Sequence, residues 1–342
     1  MDIYRMGLDI GSTTIKVVLV HKDRIIYQQY RRHHADIGGE LAKAFDEVFF
    51  AHPEAQVQIS VTGSGGVSVS RWLELPFVQE VIAEAEAIRR FAPDTDVIIE
   101  LGGEDAKITY MKPVPEQRMN GTCAGGTGAF IDQMASLLQT DASGLDQMAA
   151  RYHTLYPIAS RCGVFAKSDL QPLINDGAAK EDLAASVFQA VVNQTIAGLA
   201  CGRPIRGNIV FLGGPLYFLK RLREAFERSL SADVKSFYTP PDAQLYVALG
   251  AALLASDAPM PIREIRERFA TSRKMELDIT RIRPLFADDQ ERAAFSARHA
   301  ANSLELYDIS RQKGDCFLGI DAGSTTTKAV LINQDEIGRA HV

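Results

Sequence analysis

The sequence predicts an α/β fold, because short apolar strands that end in glycine-rich turns alternate with amphipathic helical segments. Three strand ends are the most distinctive, at residues 9–14, 100–105 and 211–215. A repeat is the second observation, since nine of the fourteen residues in 7–20 recur at matching positions in 319–332. With 342 residues, the chain is long enough for about two domains of ordinary size.

Hydrophobic periodicity and turn residues give the order of the elements. Segments 6–20 and 25–31 predict hairpin strands, with turns at Gly11 and at residues 22–23. The other predicted strands are 57–62, 96–101, 107–111 and 208–212. The predicted helices are 37–50, 80–91, 129–138, 183–199, 218–230 and 243–256.

The repeat and a change in composition after residue 256 predict the domain organisation. We expect one complete domain over 1–256, a charged connector over 257–314 and the truncated start of a second domain of the same type over 315–335. The last residues, 336–342, look foreign to the protein and are left out of the fold prediction.

Composition excludes several classes of function. The net charge of −6 is spread over both signs, so the sequence predicts no binding to nucleic acid or to an anionic membrane. The start resembles no signal peptide, and no segment approaches the roughly 18 apolar residues of a membrane span. Four cysteines without close pairing argue against a disulfide framework, so we expect a cytoplasmic protein.

The first strand end has the composition of a phosphate-binding loop. Gly11 permits a tight turn and a close approach of the backbone to a phosphate. Asp9, at the end of the strand, suits a hydrated Mg²⁺ ion. Lys16 either contacts a phosphate or lies on the outer face of the next strand. The hydroxyl donors predicted to bind nucleotide here are Ser12, Thr13 and Thr14.

Two further strand ends follow the same logic. The second has an acid, Glu100, followed by the paired glycines Gly102 and Gly103. The third has the paired glycines Gly213 and Gly214, which suit a flat base lying against the backbone. Three such loops in this order indicate a nucleotide-binding site much more specifically than one loop would.

The order of these loops resembles that in the ATPases of the sugar kinase–Hsp70–actin superfamily. The resemblance implies an actin-like ATPase fold, in which two RNase H-like subdomains enclose the nucleotide in the cleft between them. The first two loops would hold the phosphates of ATP or ADP, and the third would hold the adenosine. A small-molecule kinase of the sugar type, or an ATP switch without a metal cluster, would use the same loops.

Two cysteines add a separate signal. Cys123 follows the second loop within a glycine-rich stretch, and Cys162 precedes an apolar helical stretch. Two thiolates are half of the ligands that a four-iron cluster needs. A two-fold symmetric dimer would supply the other two.

The cysteine segments resemble those of the activators of 2-hydroxyacyl-CoA dehydratases and of the ATP-binding subunits of benzoyl-CoA reductase. The resemblance covers about 3–255, and the repeat is similar to the large, two-copy members of that family. It implies an ATPase that delivers a low-potential electron from a [4Fe-4S] cluster held by Cys123 and Cys162. It further implies a homodimer or a pseudo-dimer with a second domain, an iron–sulfur dehydratase or reductase as acceptor, and reduced ferredoxin or flavodoxin as donor.

The second loop departs from the family pattern, which usually reads Asp-Ile-Gly-Gly-Gln-Asp. Glu100 replaces the first Asp and would reach Mg²⁺ through water, together with Asp9. Glu104 replaces the Gln, and Asp105 is retained. The resemblance implies a catalytic role for Glu104 and Asp105. Glu104 is either a base for the attacking water or an acid on the loop surface.

The remaining cysteine and histidine positions predict structural roles. Cys201 ends the long helix and is expected to be a buried core cysteine. His33 and His34 follow two arginines in a polar turn and are expected to be solvated.

Overall fold

The computed structural model describes residues 3–121, 125–159, 163–271, 283–301, 313–323 and 326–333. The chain divides into two compact units, Met1–Met275 and Glu276–Val342. All three glycine-rich loops belong to the first unit.

The first unit contains two sheets and the helices that cover them. Its strands are β1 (Ile3–Ile10), β2 (Thr14–His21), β3 (Arg24–Arg32), β4 (Gln56–Thr62), β5 (Val97–Leu101), β6 (Ala106–Tyr110), β7 (Glu116–Met119), β8 (Gly207–Leu212), β9 (Val234–Tyr238) and β10 (Met260–Pro261). Its helices are α1 (Ile37–Ala51), α2 (Gly66–Leu73), α3 (Glu80–Phe91), α4 (Gly128–Leu137), α5 (Ala142–Ala149), α6 (Gly163–Asn175), α7 (Lys180–Thr195), α8 (Gly214–Phe218), α9 (Lys220–Leu230), α10 (Tyr246–Leu254) and α11 (Ile262–Thr271).

The two sheets have matching strand orders. The first runs β3–β2–β1–β4–β10 and the second β7–β6–β5–β8–β9. In each, the first three strands in sequence are antiparallel, and the next strand lies parallel to the first of them. This mixed arrangement with helices confirms the predicted α/β class and shows two subdomains of similar topology.

Each sheet packs in its own core. In the first, α1 is capped by Asp36, whose carboxylate accepts from the backbone N–H of Gly39, and the helix buries Leu41, Phe45 and Val48. In the second, β5 is the central strand of the sheet, and all five of its residues are buried. The segment Lys180–Ala200, which is α7 plus a π-helical turn (Ile196–Ala200), is long and apolar enough to cross a membrane. It is mostly buried, however, and packs as a helix of the second core.

The chain passes between the two sheets through α3 and α10. These helices meet at Gly250, where an added Cβ would overlap the carbonyl oxygen of Ala83. On its other side, α10 meets β1 at Gly7, where a Cβ would overlap the carbonyl oxygen of Ala248. β1, α10 and α3 therefore pack with their backbones in close approach, which only glycine at these two positions allows.

The structure adds elements that periodicity did not predict. β7 and β9 are edge strands with mostly polar, partly exposed residues, so they lack an apolar alternation. β10 pairs with β4, and Ile262, Ile265 and Phe269 of α11 are buried in the first core. The start of the predicted connector is therefore packed as part of the first unit.

The second unit contains a helix, α12 (Asp289–Ala300), and the hairpin β11 (Cys316–Ala322) and β12 (Thr327–Asn333). Asp321 pairs with Lys328 in that hairpin, as Asp9 pairs with Lys16 between β1 and β2. The repeated sequence thus folds with the same strand register in both places.

Helix α3 carries an acid that is fully buried against the second sheet. Glu84 is 0% exposed, and its Oε2 accepts from the hydroxyl of Thr109 at 2.9 Å and from the amide of Gln117 at 3.4 Å. Its Oε1 has no hydrogen-bond partner within the described residues. Burial, followed by the charge of Glu100, raises the pKa of Glu84 to about 8.

The pKa of Glu84 predicts how stability depends on pH. The folded protein keeps this proton up to about pH 8, whereas the unfolded chain releases it near the ordinary value of 4.5. The free energy of unfolding should therefore fall as pH rises between these values, with a contribution of up to about 1.4 kcal/mol per pH unit. The free energy of unfolding of Glu84→Gln, measured by urea denaturation from pH 4 to 9, should lack this fall with pH.

A matched control is available on the same helix. Glu86 is partly exposed, so Glu86→Gln should keep the wild-type pH profile. A Glu84→Gln variant that loses stability with pH as steeply as wild type would contradict the assignment.

Candidate nucleotide-binding and catalytic site

The first loop joins β1 to β2 and is anchored by an ion pair. Asp9 is 4% exposed, and its Oδ2 accepts from Nζ of Lys16 at 2.8 Å. The two residues lie directly opposite each other in the hairpin. Burial alone would lower the pKa of Lys16, but the charge of Asp9 raises it to about 12. Lys16 therefore points to Asp9 and does not lie on the outer face of the strand.

His33 braces this loop, so the prediction that it is solvated is wrong. It is 7% exposed, and its Nδ1 accepts from the backbone N–H of Ala35 at 3.1 Å. Nε2 must then carry the proton, and it donates to the carbonyl oxygen of Gly11 at 3.2 Å. The backbone N–H of His33 also donates to the carbonyl oxygen of Thr13 at 3.2 Å. Composition of the turn gave no sign of this, because β3 extends to Arg32 and brings His33 back onto the loop.

The second loop joins β5 to β6 and touches the first. A Cβ at Gly103 would overlap Oγ1 of Thr13, and one at Gly102 would overlap the carboxylate of Asp105. The backbone N–H of Gly102 donates to the carbonyl oxygen of Asp105 at 2.8 Å. The structure thus brings the two predicted phosphate loops together, with glycines at the points of closest approach.

A buried ion cluster lies beneath the second loop. Nζ of Lys107 lies 3.2 Å from Oε2 of Glu100 and 2.7 Å from Oδ2 of Asp105, and it also contacts the carboxylate of Glu80 on α3. Sequence analysis missed Lys107 and Glu80. The available signal was a lysine within the apolar strand β6, opposite Glu100 in an antiparallel pair.

The cluster sets the charge of the loop acids. Burial raises the pKa of Glu100. Burial would also raise the pKa of Asp105, but the charge of Lys107 lowers it below its usual value. The pKa of Lys107 is raised well above its usual value by the surrounding carboxylates, although burial opposes this. Asp105 is therefore held as a carboxylate, paired to an ammonium.

The third loop lies beside the second, because β8 is parallel to β5. Gly213 has φ +86°, and a Cβ there would overlap the carbonyl oxygen of Leu101. A Cβ at Gly214 would overlap the hydroxyl of Tyr30. A cavity of about 380 Å³ opens here, lined by Tyr30, Gly128, Asp132, Gly214 and Phe218 among others.

A second cavity, of about 480 Å³, opens between the first two loops. Ser12, Glu104 and Asp105 line it, so the predicted catalytic acids face the same space as the first loop. Glu104 is exposed, whereas Asp105 is partly buried. A cavity of about 520 Å³ between α1 and α11 is lined by none of the predicted site residues.

Cys123 and Cys162 lie outside the described residues, but the helices that follow them are described. α4 begins at Gly128 and α6 at Gly163. A Cβ at Gly163 would lie 2.9 Å from Oε1 of Gln133 and 3.6 Å from Phe130, both on α4. The helices that follow the two cysteines are thus packed together.

The start of α4 is hydrogen-bonded to the second loop. The backbone N–H of Gly128 donates to the carbonyl oxygen of Gly102 at 3.0 Å, and that of Ala129 donates to Gly103 at 2.7 Å. A displacement of the second loop would therefore move or strain the start of α4, the helix that follows Cys123.

Cys201 is exposed, so its predicted place in the core is wrong. It follows the π-helical turn in a left-handed conformation, with φ +47°, and its thiol donates to the carbonyl oxygen of Gly198 at 3.3 Å. The chain leaves the helix at this point, so the apolar periodicity that suggested burial has already ended.

Similarity to known proteins agrees with this geometry. Residues 6–255 match the BadF/BadG/BcrA/BcrD ATPase family. The (R)-2-hydroxyglutaryl-CoA dehydratase activating ATPase of Acidaminococcus fermentans is 30% identical over 260 residues, which cover 75% of this chain and 98% of that protein.

Two solved structures are similar over the same region. The crystal structure of (R)-2-hydroxyglutaryl-CoA dehydratase component A from Acidaminococcus fermentans matches with TM-score 0.65 and 28% identity, covering 80% of this chain and 100% of that chain. The activator of 2-hydroxyisocaproyl-CoA dehydratase from Clostridium difficile, with bound ADPNP, matches with TM-score 0.65 and 26% identity, covering 82% and 100%.

These similarities confirm the resemblance drawn from the loops and cysteine segments, and with the paired sheets they confirm the actin-like ATPase fold. The family match includes every residue predicted to bind nucleotide, from Asp9 to Gly214. The chain therefore belongs to the BadF/BadG/BcrA/BcrD ATPase family.

Proposed function

We propose that this chain couples ATP hydrolysis to the delivery of a low-potential electron from a [4Fe-4S] cluster to a partner enzyme. The chain belongs to an ATPase family, and its relatives include activators of 2-hydroxyacyl-CoA dehydratases. The observation that carries the proposal is the pair of hydrogen bonds between the second loop and the start of α4. They connect the ATP-binding loops to the helix that follows Cys123.

The nucleotide would lie across the three loops. The backbone at Gly11 and Gly103 would face the phosphates, with hydroxyl donors from Ser12 and Thr13. The cavity beside Gly214 is large enough for the base. The related activator with bound ADPNP supports a nucleotide in this family's fold.

The charge around the loops fits Mg²⁺. Glu80, Glu100 and Asp105 surround the single ammonium of Lys107, which leaves an excess of negative charge. Within the described ranges, no three His, Cys, Asp or Glu side chains converge to bind a metal ion directly. In our proposal, phosphates and water hold most of the coordination sphere, as Mg²⁺ prefers, with Asp9 and Glu100 accepting from that water.

Hydrolysis would use the acids that line the cavity between the first two loops. Asp105 is held ionised by Lys107 and can orient a bound water molecule. Glu104 is exposed in the same cavity, where its carboxylate can accept a proton from the attacking water. Glu104 is in our proposal the base and Asp105 the orienting group.

Cys123 and Cys162 would hold the cluster, with two thiolates from each of two domains. α6 begins directly after Cys162, so its N-terminal dipole would stabilise the negative charge of a thiolate-bound cluster. The second domain is a partner chain in a homodimer or a later domain of the same chain. We expect reduced ferredoxin or flavodoxin as donor, an iron–sulfur dehydratase or reductase as acceptor, and a cytoplasmic setting.

The hairpin of β11 and β12 supports a second domain of the same type over 315–335. Its register places Asp321 opposite Lys328, and Nζ of Lys328 lies 3.6 Å from Oδ2 of Asp321. This repeats the Asp9–Lys16 pair of the first phosphate loop. In our proposal this hairpin is the first of a second ATPase domain.

Gly103→Ala should weaken nucleotide binding, because its Cβ would push the second loop away from Thr13. We expect the Kd for ADPNP, measured by isothermal titration calorimetry, to rise by about tenfold or more, which is about 1.4 kcal/mol. Gly38→Ala is the matched control, since a Cβ at Gly38 meets nothing within 4 Å. Equal affinity in the two variants would contradict the placement of the phosphates.

Iron content tests the cluster. After anaerobic purification and reconstitution, we expect about two irons per chain in a dimer, and their loss in Cys123→Ser. Cys201→Ser is the control, because Cys201 is exposed and paired to a backbone carbonyl. ATP binding without any iron would overturn the electron-transfer proposal and favour a sugar-type kinase or an ATP switch.

A further inference from the structure

Lys107 links the second loop to helix α3. Asp105 lies in the second loop and Glu100 in β5, the strand that leads into it, whereas Glu80 lies in the first turn of α3. The ammonium group contacts all three carboxylates, and the side chain of Lys107 is only 4% exposed. The buried ammonium of Lys107 therefore contacts both the second loop and α3, the helix that leads into the second sheet.

The ammonium of Lys107 is directed at carboxylates of the protein. A lysine ammonium has three N–H donors, and three carboxylates surround this one. Burying an unpaired ammonium is costly, so each of these contacts offsets part of that cost. Lys107 is thus built to hold protein groups in place, unlike a lysine that reaches a nucleotide.

Helix α3 makes a second polar contact with the same strand. Glu80 and Glu84 are four residues apart and so lie on one face of the helix. Glu80 contacts Lys107, and Glu84 accepts from Thr109, two residues further along β6. The contact with Lys107 includes the second loop, whereas the contact with Thr109 does not.

The other side of α3 leads back to the first loop. α3 meets α10 at Gly250, and α10 meets β1 at Gly7, both with backbones in close approach. β1 ends in the first phosphate loop, and that loop touches the second at Gly103. These contacts connect α3 to the second loop by way of α10, β1 and the first loop. Lys107 connects the same two elements directly.

We propose that Lys107 is a positioning residue that couples the second phosphate loop to helix α3 through Glu80. When nucleotide binding displaces the loop, Asp105 moves with it, and the ammonium of Lys107, which also contacts Glu80, transmits that displacement to the first turn of α3. This inference rests on the proposed function, since it requires nucleotide at the loops. It identifies α3, together with α4, as a helix that responds to the nucleotide.

Hydrogen–deuterium exchange of the full chain, with and without ADPNP, tests the coupling. In wild type, ADPNP should slow exchange both in the second loop and in the first turn of α3. In Lys107→Met and in Glu80→Gln, it should slow exchange in the loop alone. Glu80→Gln keeps the test available if Lys107→Met does not fold. The double variant should change ADPNP affinity no more than the larger single effect, because the two residues act as one link.

Thr109→Val is the matched control. It removes the hydrogen bond to Glu84 from the same strand without touching the loop, so the response of α3 to ADPNP should persist. An α3 response that persists in Lys107→Met, or additive effects of Lys107→Met and Glu80→Gln on affinity, would overturn the coupling. Loop protection without α3 protection in wild type would overturn it as well. Absence of any ADPNP binding would instead overturn the proposed function and this inference together.

Discussion

The site depends on close contacts that a few glycines make with neighbouring segments. Gly103 lies against Thr13, which brings two phosphate loops from two different sheets into contact. Gly7 and Gly250 allow β1, α10 and α3 to pack without intervening side chains. A single methyl group at any of these points would push the elements apart, so the nucleotide site and the packing of the two subdomains share one steric constraint.

Electrostatics then divides the acids around the loops into distinct roles. Asp9 is neutralised by Lys16, and Asp105 and Glu100 share Lys107. Among the described residues no ion pair is formed by Glu104, which is exposed in the cavity between the first two loops. Environment therefore separates carboxylates that the sequence alone presents as similar. It keeps the paired ones in place and leaves Glu104 exposed to solvent.

The sequence predicted the loops because their chemistry is local. An acid at a strand end followed by glycines predicts a phosphate loop without knowledge of the fold. The contacts of Lys107 with Glu100 and Glu80 are not local. They depend on the register of β5 and β6 and on where α3 crosses these strands. His33 was misjudged for the same reason, because its contact with Gly11 arises from the path of β3. Likewise, α11 joins the first core only because β10 pairs with β4.

In our proposal, nucleotide at the loops acts through α4 on the cluster that Cys123 and Cys162 would hold. The most direct test is the reduction potential of the iron-loaded protein, measured with and without ADPNP. We expect ADPNP to shift the potential, because α4 is hydrogen-bonded to the second loop at Gly102 and Gly103. An iron-loaded protein that binds ADPNP with no change in potential would contradict it.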